Sequence, residues 1–164
     1  MCSSDLFAYL ALANTDETQL ELTQHLRIRN DANETFGDSS LSLPGGSRLE
    51  RPIRRHETRR VRAAQWTGLP ILKTYTVDIA RHGWLDANQH KPNVAMHYVI
   101  RNAREAGLGT TSLAAGKVRI FQSDGQGGTA FLGEDRGKRT RRSEDMNLFL
   151  GLARDIVVKR TVLA

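Results

Sequence analysis

Cysteine, aromatic residues and long apolar runs are scarce or absent in this chain of 164 residues. Its one cysteine is Cys2, so disulfides within the chain and metal sites built from several cysteines are excluded. Aromatic residues make up 6% of the sequence, which predicts a thin and mainly aliphatic core. No apolar run reaches the ~20 residues that a membrane-spanning helix needs, so no membrane-spanning segment is predicted.

The opening hexapeptide is MCSSDL, residues 1–6. It resembles the translated end of a common short-read sequencing adapter. We interpret it as translated adapter and leave it, with Cys2, out of the fold prediction. The alternative is a genuine short polar terminus. Under the adapter interpretation the natural start of the protein is missing, so the absence of a signal peptide says little about location.

Motifs of the common nucleotide-binding and hydrolytic enzymes are missing. The sequence has no P-loop, no G-x-S-x-G elbow and no H-E-x-x-H pair. The glycines of residues 107–109 lack the third glycine and the strand-to-helix context of a dinucleotide fingerprint. No catalytic residue, no cofactor and no enzyme activity is therefore predicted from motifs.

A weak metal-site pattern remains in the middle of the chain. His82, Asp86 and His90 are spaced four residues apart, which on a helix would place three metal-ligand types on one face. Gly83 and Pro92 disfavour a helix there, so the expected interpretation is ordinary exposed polar residues. A metal-dependent enzyme that uses these three side chains stays as an alternative.

Positive charge is what the sequence does contain, with a net charge of +6 gathered in two segments. Residues 48–62 hold seven arginines against two glutamates, and residues 136–142 hold five basic residues and no acid. Such patches bind acidic polysaccharide, lipid headgroups or nucleic acid, although most charge runs are simply solvated. The candidate contacts to an anionic polymer are Arg54, Arg55, Arg59, Arg60, Arg62, Lys138, Arg139, Arg141 and Arg142.

Alternation of apolar and polar residues predicts an all-β fold, an antiparallel β-sandwich or open barrel of short strands and hairpins with a basic loop insert. The clearest hairpin joins KVRIFQS to TAFLG through the turn DGQGG. Residues 7–46 are predicted as the first β part of the domain and residues 71–164 as the second. Residues 47–70, rich in arginine and without a clean period, are predicted as a loop or disordered insert, with a marginal helix as the alternative.

From residue 107 onward the sequence resembles a known family. The stretch GLGTTSLAAGKVRIFQSDGQGGTAFLGED is similar to the C-terminal domain of mucoidy-inhibitor-A-like proteins, a domain of unknown function with the number 4139. The stretch LALANTDETQLELTQHLRIRN resembles the first strands of the same family. Two family motifs differ here: residues 112–116 replace its PLPAG, and residues 137–141 replace its I-x-HTP. The family pattern continues beyond Arg160, so we expect truncation at both ends.

The resemblance implies an all-β domain of a bacterial cell-envelope or secreted protein, with no established enzyme activity and no catalytic residues to carry over. We therefore predict a non-enzymatic binding or scaffolding role in the periplasm or outside the cell, with a cytoplasmic location as the alternative. An envelope polymer or an envelope protein is the expected partner. Five residues are predicted to serve structural turns: Asn102, Gly107, Gly109, Gly116 and Gly125.

Overall fold

The computed structural model describes residues 6–37, 41–42, 48–49, 52–159 and 161. Residues 1–5, most of the opening hexapeptide, lie outside the described residues. The described part of the chain contains one short helix, α1 (Ile79–His82), a 3₁₀ helix (Arg104–Ala106) and nine strands. The strands are β1 (Phe7–Ala13), β2 (Gln19–Arg29), β3 (Leu41–Ser42), β4 (Arg48–Leu49), β5 (Thr58–Val77), β6 (Val94–Arg101), β7 (Gly116–Ser123), β8 (Thr129–Gly137) and β9 (Asp145–Leu152).

Seven of these strands form one sheet in the order β8-β7-β1-β2-β5-β6-β9. The sheet curls into a nearly closed barrel, so the all-β prediction is confirmed. Five of its six ladders are antiparallel, and the ladder between β1 and β7 is parallel. This parallel ladder joins the two β parts predicted from the sequence in a single sheet.

The barrel interior is filled by alternate residues of each strand, because successive side chains of a strand point to opposite faces. Tyr9, Ala11 and Ala13 of β1 point inward, whereas Leu10 between them is 38% exposed. The largest buried apolar side chains on the other strands are Leu20, Leu22, Leu69, Tyr98, Ile100, Val118, Ile120, Met146 and Leu148. Burial of this inner face stabilises the fold and leaves the outer face available for polar side chains.

The prediction of a loop or disordered insert at residues 47–70 is wrong from Thr58 onward, because β5 begins there. Val61 and Ala63 pack beside Leu26 of β2, while Arg60 and Arg62 are exposed on the opposite face. The segment is therefore a half-buried strand with arginine on its outer face. Its interior side chains are few and small, and this is why the apolar period is weak.

The long strand β5 serves two neighbours in succession. Residues 58–70 pair with β2 and residues 71–77 pair with β6. Just before this change of partner lies Gly68, with a φ of +64° that side-chain-bearing residues rarely adopt. β5 thus carries the sheet around one corner of the barrel and connects its two sides.

The barrel closes at the seam, the name we use for the gap between the edge strands β8 and β9. The two strands approach closely at Gly133, where a Cβ atom would lie 3.0 Å from the carbonyl oxygen of Leu150. Further along, the backbone N–H of Phe149 donates to the carboxylate of Asp135 at 2.7 Å. A side chain thus bridges the two backbones at this point, and no ladder joins these edges of the sheet.

Two strand ends are fixed by the same arrangement around a buried asparagine. After β6, Asn102 Nδ2 donates to the carbonyl oxygens of Thr111, Thr140 and Arg141 at 3.0–3.2 Å, and its Oδ1 accepts from Gly109 N–H. This one side chain joins the end of β6 to two loop segments, residues 109–111 and residues 140–141.

After β2, Asn30 makes the equivalent set of bonds. Its Nδ2 lies within hydrogen-bond distance of the carbonyl oxygens of Glu34, Ile53 and Arg54, and its Oδ1 accepts from Ala32 N–H. Both asparagines are less than 5% exposed. The barrel therefore contains a structural repeat that the spacing of the sequence does not reveal.

The repeat continues into two matching turns, residues 54–57 before β5 and residues 141–144 before β9, which we call the paired turns. The third residue of each has a positive φ, +57° at His56 and +66° at Ser143. In each turn the closing glutamate accepts from the backbone N–H of the first residue, at 2.7 and 2.8 Å. The first two residues of both turns are exposed arginines.

Candidate anion-binding groove

The outer face of the barrel carries basic side chains on either side of a low floor, which we call the basic groove. The ladders place Lys117 of β7 opposite Ala8 of β1, Ala8 opposite His25 of β2, and His25 opposite Arg62 of β5. Residues of four neighbouring strands thus lie in one row across the sheet. Because neighbouring strands are ~4.8 Å apart, the two outer members of this row are roughly 14 Å apart at the backbone.

The groove has a volume of about 640 Å³ and continues along the sheet into a second depression of about 220 Å³. Ala8 and Leu10 form its floor, because the small Ala8 leaves space between longer neighbours. Lys117 and Arg119 of β7 stand on one side of the floor, and the side chains of β2 and β5 stand on the other. An extended chain-like ligand fits this shape better than a compact one.

The charge of the basic groove is only partly neutralised. Glu134 of β8 pairs with Lys117 at 2.9 Å and with Arg119 at 3.0 Å, and these two cations hold the pKa of Glu134 below its usual value. On the other side, Arg62 donates to the neutral amide of Gln65. No carboxylate in the described part of the chain pairs with Arg60 or Arg62. One acid therefore faces four permanent cations.

His25 stands between the floor and the two arginines of β5. Its Nδ1 is buried and has no hydrogen-bond partner among the described residues. Burial, together with the positive charges of Arg60 and Arg62, lowers the pKa of His25 below 6.5. A bound anion would offset the two guanidinium charges and so favour protonation of this imidazole.

An aromatic pair lies at the end of the groove. Phe121 of β7 lines the groove, and Phe131 of β8 packs edge-on against it with ring centroids 5.4 Å apart. Phe131 is 59% exposed. Exposed rings beside basic residues can stack on the flat or apolar face of a ligand whose charges bind nearby.

Of the nine basic residues predicted as polymer contacts, Arg60 and Arg62 line this groove. Arg59 differs, because it pairs with Glu57 at 2.6 Å and its side chain is only 25% exposed. Arg54, Arg55, Arg141 and Arg142 occupy the paired turns. The structure therefore divides the predicted set rather than gathering it into one patch.

Lys138 and Arg139 follow β8 and line a different groove, of about 630 Å³, along the seam. This seam groove lies on β6, β8 and β9, whereas the basic groove lies on β7, β1, β2 and β5. The two positive segments of the sequence thus reach separate surfaces.

The five residues predicted to serve structural turns lie at positive φ angles, at a close strand contact or in a buried set of hydrogen bonds. Gly107, Gly109 and Gly125 have φ angles between +76° and +82°. A Cβ atom on Gly109 would lie 2.5 Å from the backbone nitrogen of Arg104, so only glycine fits. Gly116 has no positive φ; it lies against the backbone of Phe7, where β7 meets β1. Asn102 is the buried clamp after β6.

The three side chains of the alternative metal site are not brought together. His82 stacks on the ring of Phe149 at a centroid distance of 5.5 Å. Asp86 accepts from the backbone N–H groups of His90 and Lys91, at 3.0 and 2.8 Å, and closes a local turn. Among the described residues no three histidine, cysteine, aspartate or glutamate side chains form a group that could hold a metal ion.

Sequence reasoning missed Lys117, Arg119 and Phe121, which line the basic groove. They alternate with the buried Val118 and Ile120, so the sequence does place the three side chains on the outer face of β7. What it does not contain is the parallel ladder that sets this face beside the arginines of β5.

No helix in the described ranges has the length and apolar character needed to span a membrane. No family model, curated protein or solved structure matches this chain.

Proposed function

We propose that this protein is a non-enzymatic binding domain that holds an anionic polymer in its basic groove. The observation that carries the proposal is the row of cations on both sides of the Ala8 and Leu10 floor, opposed by the single acid Glu134. Four cations at fixed positions attract repeated negative charges along a chain more strongly than isolated surface charges do.

The resemblance to the mucoidy-inhibitor-A-like family supports a place in the bacterial envelope or outside the cell. A polymer with a carboxylate, sulfate or phosphate on each unit has the required chemistry. Arginine forms paired hydrogen bonds with such groups, and the exposed ring of Phe131 offers an apolar contact between them.

The test is binding of three labelled probes to the full chain: a polyuronate, an oligothymidylate and phosphatidylglycerol vesicles. We expect saturable binding of at least one probe that weakens steeply between low and moderate salt. The variant Arg60→Glu with Arg62→Glu reverses the charge on the β5 side of the groove. It lowers the affinity for the probe by roughly tenfold or more.

The matched control is Arg54→Glu with Arg55→Glu, which makes the same change in charge in an exposed turn outside the groove. Its affinity should stay within about threefold of the wild-type value, because exposed charges beyond the contact are screened. Equal losses in the two variants, binding that ignores salt, or no binding of any probe would contradict the proposal.

A further inference from the structure

The seam offers an open sheet edge in addition to the basic groove. β8 and β9 are the two edge strands of the sheet. They touch near Gly133 and Leu150, and the groove of about 630 Å³ runs along the part of the seam lined by Asp145, Asn147 and Phe149 of β9. An unpaired strand edge beside a groove is a template for one more strand.

The direction of the free backbone groups follows from two observed hydrogen bonds. The carbonyl oxygen of Glu144 accepts from Asn102 N–H, on the β6 side, whereas the N–H of Phe149 donates to Asp135 across the seam. Alternate residues of an antiparallel strand direct their backbone groups to the same side. Asp145 and Asn147 therefore also present N–H and C=O groups to the seam, and no group in the described ranges accepts from Asn147 N–H.

The carboxylate of Asp135 imitates the carbonyl of a neighbouring strand at Phe149. At Asn147 and Asp145 no side chain among the described residues does the same. On this edge of β9 the backbone N–H of Phe149 has an acceptor. The backbone groups of Asn147 and Asp145 face the seam without a partner among the described residues.

Charge indicates what kind of strand fits there. Arg81, Lys138 and Arg139 line the seam groove, and none of them has a carboxylate within ion-pair distance in the part of the chain that the structure describes.

The acids of the seam groove are already engaged. Asp135 accepts from two backbone N–H groups, Glu144 accepts from the backbone N–H of Arg141, and Asp145 pairs with Arg101. The unmatched charge is positive.

We propose that an extended, acidic peptide segment of a partner protein binds in the seam groove and pairs with the open edge of β9 as an added strand. Its backbone completes the hydrogen bonds of Asn147 and Asp145, and its carboxylates lie near Arg81, Lys138 and Arg139. This mode of recognition takes affinity from the main chain and specificity from alternate side chains. The proposal is independent of polymer binding, because the seam groove and the basic groove lie on different strands.

The experiment uses the full chain and a fluorescent peptide of about eight residues, the length of an ordinary strand, with alternating glutamate and valine. We expect saturable binding, and binding roughly tenfold weaker for the same peptide with lysine in place of glutamate. A third peptide keeps the glutamates but carries N-methyl groups on alternate backbone nitrogens, and it should not bind. Hydrogen exchange at Asn147 N–H should slow when the acidic peptide is present.

The variant Lys138→Glu with Arg139→Glu should weaken binding of the acidic peptide by roughly tenfold, whereas Arg60→Glu with Arg62→Glu should leave it unchanged. Both pairs are exposed, so folding is not at risk. Binding of the methylated peptide, or unchanged exchange at Asn147, would overturn strand addition. A dimer in sedimentation that the peptide fails to dissociate would assign the seam to a second copy of this chain and overturn the peptide proposal.

Discussion

A buried side-chain amide holds the region that follows β6. Asn102 is 0% exposed and makes four hydrogen bonds to backbone groups of Gly109, Thr111, Thr140 and Arg141. The bonds to Thr140 C=O and from Gly109 N–H are buried. Thr140 C=O also accepts from Leu113 N–H, so the buried N–H of Gly109 is the group that loses its partner without the amide. An unpaired buried donor is more destabilising than loss of one exposed hydrogen bond.

The variant Asn102→Ala should lower the free energy of unfolding by about 3 kcal/mol, because Gly109 N–H stays buried without an acceptor and the loops lose their other bonds to the amide. Urea denaturation monitored by far-UV circular dichroism measures the change. The matched control Asn147→Ala removes an exposed amide from β9 and should cost less than about 0.5 kcal/mol. A loss at Asn102 as small as at Asn147 would show that water replaces the clamp.

The lowered pKa of His25 predicts that the stability of the fold depends on pH. Its pKa in the folded state lies below the ordinary 6.5 because of burial and because of the charges of Arg60 and Arg62. The unfolded chain therefore takes up this proton first as the pH falls, and the folded state loses stability below about pH 6.5. His97 also has a lowered pKa, from burial and the nearby charges of His82 and Arg81, so the wild-type curve contains both effects.

The variant His25→Gln should remove the His25 share of this loss. Its stability relative to the wild type should rise between pH 7.5 and the acid side of pH 6.5, as measured by urea midpoints at each pH. Parallel pH curves for the two proteins would mean that His25 titrates alike in the folded and unfolded chains.

Elements differ in how far their sequence predicts them. The hairpin of β7 and β8 is predictable because its signals are local: two alternating runs around a glycine-rich turn. β5 is not, because its outward residues are arginines and its inward residues include the small Ala63. Arg60, Val61 and Arg62 alternate between polar and apolar as in a strand. The many arginines around them make this alternation hard to recognise. The basic groove depends on pairing between distant segments, which a local pattern does not contain.

The contact between β1 and β7 gives a prediction at the scale of the element. Gly116 begins β7 directly against the backbone of Phe7, so a methyl group there would push the two strands apart. The variant Gly116→Ala should destabilise the fold by about 2 kcal/mol, as overpacked sites commonly do. The control Gly37→Ala has no atom within 4 Å of the added carbon and should change stability little. Chemical denaturation of both variants measures the change in stability. Equal midpoints would show that β7 shifts without loss of stability.

The molecule as a whole has a net charge of +6, and the basic groove and the seam groove place cations on two different surfaces of the barrel. In the basic groove, cations of β5 and β7 face a common space, so they repel one another when no ligand is bound. A ligand that binds only the folded state raises the melting temperature. Inorganic pyrophosphate is small enough to reach these cations and carries the charge that they lack.

We expect saturating pyrophosphate to raise the Tm of the wild-type protein by about 3 °C. The variant Arg60→Glu with Arg62→Glu should show a clearly smaller rise, because two of the groove's cations are gone. Differential scanning fluorimetry measures both, and the variant Lys138→Glu with Arg139→Glu controls for general charge effects. An equal rise in all three proteins would indicate a nonspecific salt effect.

The parallel ladder between β1 and β7 also has a consequence during synthesis on the ribosome. Ala8 is made about one hundred residues before its partner on β7, Lys117. At translation speeds of about 5–20 residues per second this interval lasts roughly 5–20 s. During this interval β1 can pair with β2 along one edge. Its other edge has no partner yet and can pair with a wrong strand. Slow translation before residue 116 would prolong the exposure of this edge. A chaperone bound to nascent β1 would reduce mispairing.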